Sequence, residues 1–136
     1  MPIAKELTVI LEDRPGTLGK LCQALADHKV NIVALQSISC EGKGMVRLVV
    51  DQPTLAHAAL DLEQLSYREE EVAQAKFLHR PGQLARAASR LGDAHIDIEY
   101  AYSGADPITN TPVVIFGVVP VATAASILDQ VAATPR

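Results

Sequence analysis

The chain has 136 residues, 49% hydrophobic and 21% charged, with a formal net charge of −4. That hydrophobic share excludes a disordered chain, and the acidic balance argues against nucleic acid as a partner, since binding phosphates needs a basic face. Cys22 and Cys40 show neither a CxxC partner nor a zinc-type spacing, so reduced thiols in a cytoplasmic protein are expected.

The first predicted element is a strand over Glu6–Glu12, with Leu7, Val9 and Leu11 alternating on one face. Lys5 and Glu6 interrupt the opening apolar stretch, so no secretory leader is expected. No run approaches the roughly 18 apolar residues of a membrane span, and no membrane partner is expected. The turn Asp13-Arg14-Pro15-Gly16 follows, and a helix begins at once. Leu18, Leu21, Cys22 and Leu25 recur at the spacing of one helical face. A second strand is predicted from Val30 to about Ser39, Glu41-Gly42-Lys43-Gly44 as a turn, and Met45–Val50 as the third strand. Asp51-Gln52-Pro53 reads as the start of a second helix, with Leu55, Ala58, Ala59 and Leu62 on its apolar face.

The remainder repeats this grammar. Asp13–Ile32 aligns with His79–Ile98 at an offset of 66, with seven identities in twenty positions: Arg14, Pro15, Gly16, Leu18, Leu25, Asp27 and Ile32 meet Arg80, Pro81, Gly82, Leu84, Leu91, Asp93 and Ile98. Pro53 meets Pro120 at an offset of 67. In the second copy the first strand falls at about Val72–Leu78, with Ala73, Ala75 and Phe77 on one face. Its helix carries Leu84, Ala87, Ala88 and Leu91. A second strand from Ile96, a longer loop from Gly104 to Pro112, a strand at Val113–Val119 and a helix opening at Pro120 complete it. Residues 66–72 offer a last strand for the first copy, running on into the first strand of the second; after the final helix, the second copy has none left.

DRPGTLGKLCQALADHKVNIVAL, with its Asp-x-Pro-Gly turn and Asn-Ile strand entry, resembles the ACT family of small amino-acid-binding regulatory domains. HRPGQLARAASRLGDAHIDIEYAYS resembles it with two departures: His79 replaces the acidic residue and Asp97 the asparagine. The resemblance implies an α+β chain of two tandem ferredoxin-like (βαββαβ) domains, 1–69 and 70–136, the second lacking its last strand. It implies a non-catalytic sensor that binds a free amino acid at domain interfaces, forms a homodimer and modulates a metabolic enzyme in trans. No cofactor is implied.

Chemistry places the candidate site on the two turns. A helix N-terminus carries unpaired N–H groups and partial positive charge, which suit a carboxylate. Asp13, Arg14, Pro15, Gly16, Thr17 and Leu18 form the first candidate cradle, and Arg80, Pro81, Gly82, Gln83 and Leu84 the second. Asn31 and Asp97, each opening a second strand, are the expected ammonium acceptors, with Asp97 the stronger because its bond is charge-assisted. The plainer reading stands beside this: Pro-Gly as a tight turn, and Asn or Asp bonding its own backbone.

Three other functions are open to the sequence. A small acyl-phosphate hydrolase would use Arg14 and Asn31, but no nucleophile or acid–base pair accompanies them. RNA binding through a sheet wants aromatic and basic residues, and the chain has only three Tyr and two Phe. A scaffold with degenerate ligand sites fits the same residues. His28, His57, His79 and His95 show no metal-ligand spacing. Tyr100 and Tyr102 are expected on one face of a strand.

Overall fold

The computed structural model describes residues 3–133. In chain order these form β1 (Ile3–Glu12), α1 (Thr17–Asp27), β2 (Ile32–Cys40), β3 (Lys43–Val50), α2 (Pro53–Leu62), β4 (Tyr67–Lys76), α3 (Gln83–Asp93), β5 (Ile98–Ala105), β6 (Pro112–Val118) and α4 (Val121–Ala133). They pack as two compact units. One is Lys5–Glu70; the other takes Ile3 and Ala4 and everything described from Glu71 on.

In the Lys5–Glu70 unit, β3 lies between β1 and β2 and is antiparallel to both: Leu48 faces Leu7 on one side and Leu35 on the other. The alternation of β1 puts Leu7, Val9 and Leu11 into a core with Leu21 and Leu25 of α1 and Ala56, Ala59 and Leu60 of α2. Each large side chain fully buried there contributes about 1.5–3 kcal/mol. Cys22 is half-buried, and that burial pushes its thiol pKa up, away from reactivity. In the other unit β6 lies between β4 and β5. Its core joins Ala73, Ala75 and Phe77 of β4 to Ala87 and Leu91 of α3, Phe116 of β6 and Leu128 of α4.

The expectation of two ferredoxin-like βαββαβ domains is corrected here. The described residues hold six strands, arranged as two βαββα units, each with its middle strand third in chain order. Residues 66–72 do run on into the following strand: Tyr67–Lys76 is one uninterrupted element, β4, with residues in both units, so there is no separate last strand for the first copy. No glycine or proline punctuates Tyr67–Lys76, so nothing in it forces a turn.

Two smaller expectations also change. The first helical bonds of α2 and α4 run from Ala56 N–H to Gln52 O and from Ala124 N–H to Pro120 O. Pro120 therefore matches Gln52, at an offset of 68 rather than 67. The hairpin accounts for this: Ala105 faces Pro112 in one unit where Ser39 faces Gly44 in the other, two residues more between them. The apolar face of α2 is also rotated. Ala56, Ala59 and Leu60 are buried, whereas Leu55 is 41% and Leu62 70% exposed.

Both units carry a register irregularity at the same place, between Ile32 and Ala34 and between Ile98 and Tyr100. Beyond it Ala34 faces Val49, and Tyr100 faces Gly117. A small–large pair in one unit is a large–small pair in the other. The Tyr100 ring lies so close over Gly117 that a Cβ there would fall 2.3 Å from it. Tyr100 stacks on Tyr102, ring centroids 6.3 Å apart, on the shared face the alternation predicts.

Candidate functional site

The two Arg-Pro-Gly turns share one backbone. Gly16 and Gly82 cap α1 and α3 in the left-handed conformation, with φ of +93° and +91°. A residue with a Cβ is strained there, which is why both positions are glycine. The Arg14 N–H donates to Glu12 O at 3.0 Å and the Arg80 N–H to Leu78 O at 2.8 Å. Lys20 and Arg86 each donate to the capping glycine carbonyl at 3.0 Å. The space beside both glycines is open. Of the expected donors, the Thr17 and Gln83 N–H groups are already directed at the Arg14 and Arg80 carbonyls, each at 3.4 Å. Those of Gly16, Leu18, Gly82 and Leu84 remain the candidates. Pro15 and Pro81 precede the glycines and contribute shape only, having no N–H.

The side chains on the turns differ. In the first, Arg14 Nε pairs with Glu12 Oε2 at 2.6 Å, Asp13 Oδ2 accepts from Ser39 Oγ at 2.5 Å, and Thr17 Oγ1 sits 2.9 Å from Glu12 O. Leu78, His79 and Ala105 stand where Glu12, Asp13 and Ser39 do, so Arg80 has no carboxylate beside it on its own turn. Glu12 and Ser39 were not among the residues expected at the site. The offset of 66 contains the signal, because it sets both against apolar residues.

Within each unit, the structure does not bring Asn31 to the first turn or Asp97 to the second. Glu12 faces Lys43, and Cys40 also faces Lys43, so the first turn lies at the β2–β3 hairpin end of the sheet. Asn31 precedes Ile32, which faces Val50 at the opposite end. The nine residues of β2 separate the two by about 25 Å. There Asn31 is a structural clamp: its N–H donates to Asp51 Oδ1 at 2.8 Å, its Nδ2 to Asp51 Oδ2 at 2.9 Å, and its carbonyl accepts from the Asp51 N–H. Asp51, expected to cap α2, is used in this clamp instead. Asp97 is likewise at the start of β5, exposed and remote from the second turn within its unit.

Each turn borders a cavity. At the first, a cleft of about 210 Å³ is lined by Glu12, Arg14, Thr17, Lys20 and Glu63 over Leu11, Leu21 and Leu65. At the second, a groove of about 480 Å³ runs between the turn and the β5–β6 hairpin. Phe77, Leu78, Leu84, Pro112 and Val114 supply apolar walls; His79, Arg80, Gln83, Ser103 and Asn110 supply polar ones. Gln83 is 7% exposed. The hairpin tip is stiffened by Asp106, whose side chain takes 2.8 and 3.1 Å bonds from the N–H groups of Ile108 and Thr109 and pairs with Lys76 at 2.8 Å. The Lys76 bond, then those two N–H groups, hold its pKa well below the usual carboxylate range. Among the described residues no group of three His, Cys, Asp or Glu side chains is placed to hold a metal, and no helix is long and apolar enough to cross a membrane.

Residues 5–67 match the family model of the ACT domain. The chain is similar to the crystal structure of protein BT0572 from Bacteroides thetaiotaomicron, with a TM-score of 0.81 at 26% identity, covering 94% of this chain and 88% of that one. It is similar in fold to the ligand-free regulatory subunit of aspartate kinase from Thermus thermophilus, with a TM-score of 0.65 at 16% identity, covering 96% and 90% of the two chains. The regulatory subunit of aspartate kinase from Thermus flavus gives 0.58 at 15%, covering 96% and 97%. No curated protein matches.

Proposed function

We propose that this chain is a non-catalytic regulatory protein that binds a free amino acid at the first of its Arg-Pro-Gly turns and adjusts a metabolic enzyme or regulator in trans, working as a homodimer. The observation that carries this reading is the coincidence of the ACT match with the first turn. Residues 5–67 contain Asp13–Leu18, where a left-handed glycine opens a helix onto free space beside a polar cleft. Gly16 and Leu18 N–H groups would take the ligand carboxylate. Glu12 and Asp13 are the acidic groups of that turn suited to its ammonium, since Asn31 stands at the other end of the same unit's sheet. The fold shared with aspartate kinase regulatory subunits supports a regulatory role. Ligand tightens an interface only as far as it binds one state better than another.

A thermal-shift screen of the common amino acids tests this. At a concentration 100 times Kd a ligand that binds only the folded chain adds about 2.7 kcal/mol to its stability. We expect at least one amino acid to raise Tm, and Asp13→Ala to abolish the rise. No response to any of them would sink the reading in favour of a scaffold with degenerate sites.

A further inference from the structure

We propose that the groove beside the second turn binds an apolar monocarboxylate lacking an ammonium group, a ligand class distinct from the amino acid assigned to the first turn. The inference rests on reading these turns as carboxylate sites and departs from it in what else the ligand carries. Three observations converge on the groove.

Its charge is the first. The turn sequence Glu12-Asp13-Arg14 becomes Leu78-His79-Arg80, so two carboxylates are lost and the arginine is kept. Arg14 is neutralised by Glu12 at 2.6 Å; Arg80 stands without that partner and lines the groove. A guanidinium beside an imidazole offers donors to an anion.

The missing counter-charge is the second. Among the described residues, no Asp or Glu lines the groove. The carboxylate of the bordering hairpin, Asp106, is committed to Lys76 and to two backbone N–H groups. An ammonium placed here would be desolvated near Arg80 without an ionic partner, which selects against zwitterions. In the first turn Asp13 carries a carboxylate where the second has His79.

The third is the wall. Phe77, Leu78, Leu84, Pro112 and Val114 give the groove an apolar lining, and about 480 Å³ falls within the ordinary size range of small-molecule sites. Replacement of Glu12 by Leu78 and Ser39 by Ala105 is the change that such a wall requires.

The test compares ligands that differ only in the ammonium: 4-methylpentanoate against leucine, and 3-phenylpropanoate against phenylalanine. Amide shifts in two-dimensional NMR locate binding on the full chain. We expect at least one of the two deaminated acids to shift Gly82–Leu84 and Gly104–Asn110 saturably, at least about tenfold more tightly than its amino counterpart, the scale of one charge-assisted hydrogen bond. Arg80→Gln should weaken it about tenfold or more. His79→Asp should shrink or reverse the preference; both residues are exposed, so neither variant threatens the fold. Equal or tighter binding of the amino acid in this groove would overturn the proposal, as would the absence of saturable shifts here from all four compounds. Shifts confined to Glu12–Leu18 by an amino acid would overturn it while leaving the first-turn reading intact. The converse, groove binding of a deaminated acid with no amino acid response anywhere, would sustain it and remove that reading.

Discussion

Tyr100 and Gly117 hold one another's shape. A methyl group at 117 meets the ring at less than contact distance, so Gly117→Ala should cost about 1–3 kcal/mol, measured by urea unfolding. The other unit suggests the remedy, because Ala34 and Val49 occupy the matching positions. Combining Tyr100→Ala with Gly117→Val should recover much of the loss of the single changes, a coupling that a double-mutant cycle reads directly. Asn31 makes a separate point. Asn31→Ala removes the Nδ2 bond to Asp51 and should cost about 1 kcal/mol, while leaving any ligand response of the first turn unchanged. A lost ligand response would return Asn31 to the site. At this scale the sequence was legible where chemistry is local. The two Arg-Pro-Gly turns and the helices they open follow from local residue types; the left-handed conformation of Gly16 and Gly82 is what the structure adds. The Asn31–Asp51 pairing was not legible, because it joins residues twenty positions apart whose proximity depends on strand direction.

Elements were read well when period and boundary agreed. The faces of β1 and β4 and the buried positions Leu21, Leu25, Ala87 and Leu91 follow from spacing alone. The helix α2 is the exception. Its alanines and leucines satisfy two faces at once, and mean apolarity cannot choose between them. Packing chooses Ala56, Ala59 and Leu60. The β5–β6 hairpin yields a pH prediction. Asp106 titrates lower in the folded chain than in the unfolded one, so the folded state favours its ionised form. Its stabilisation is complete above the ordinary aspartate range and is lost as pH falls below that range. Acid unfolding curves should therefore show a smaller loss over that window for Asp106→Asn than for the parent chain. An identical loss in both would remove Asp106 as a contributor.

The whole molecule is two units joined through a strand rather than a linker. Since β4 supplies Tyr67 to one core and Ala73 and Ala75 to the other, unfolding either unit withdraws part of that strand's support. We expect one cooperative transition, with hydrogen-exchange protection in β1 and in β6 lost at the same denaturant concentration. Two separated midpoints would contradict it. The recurring turn was legible in sequence, and so was the run of residues 66–72 into the following strand, because no breaker separates them.

That strand also decides where the chain tolerates being opened. A break or an inserted module between Glu70 and Glu71 would cut a strand that both cores use. The Glu41–Gly42 tip lies between strands, exposed, and takes a guest sequence with only a modest loop-closure penalty. Fusion tags, reporters or a circular permutant therefore belong at that tip, and the midpoint of the sequence, the intuitive place to divide a repeated chain, is the one to avoid.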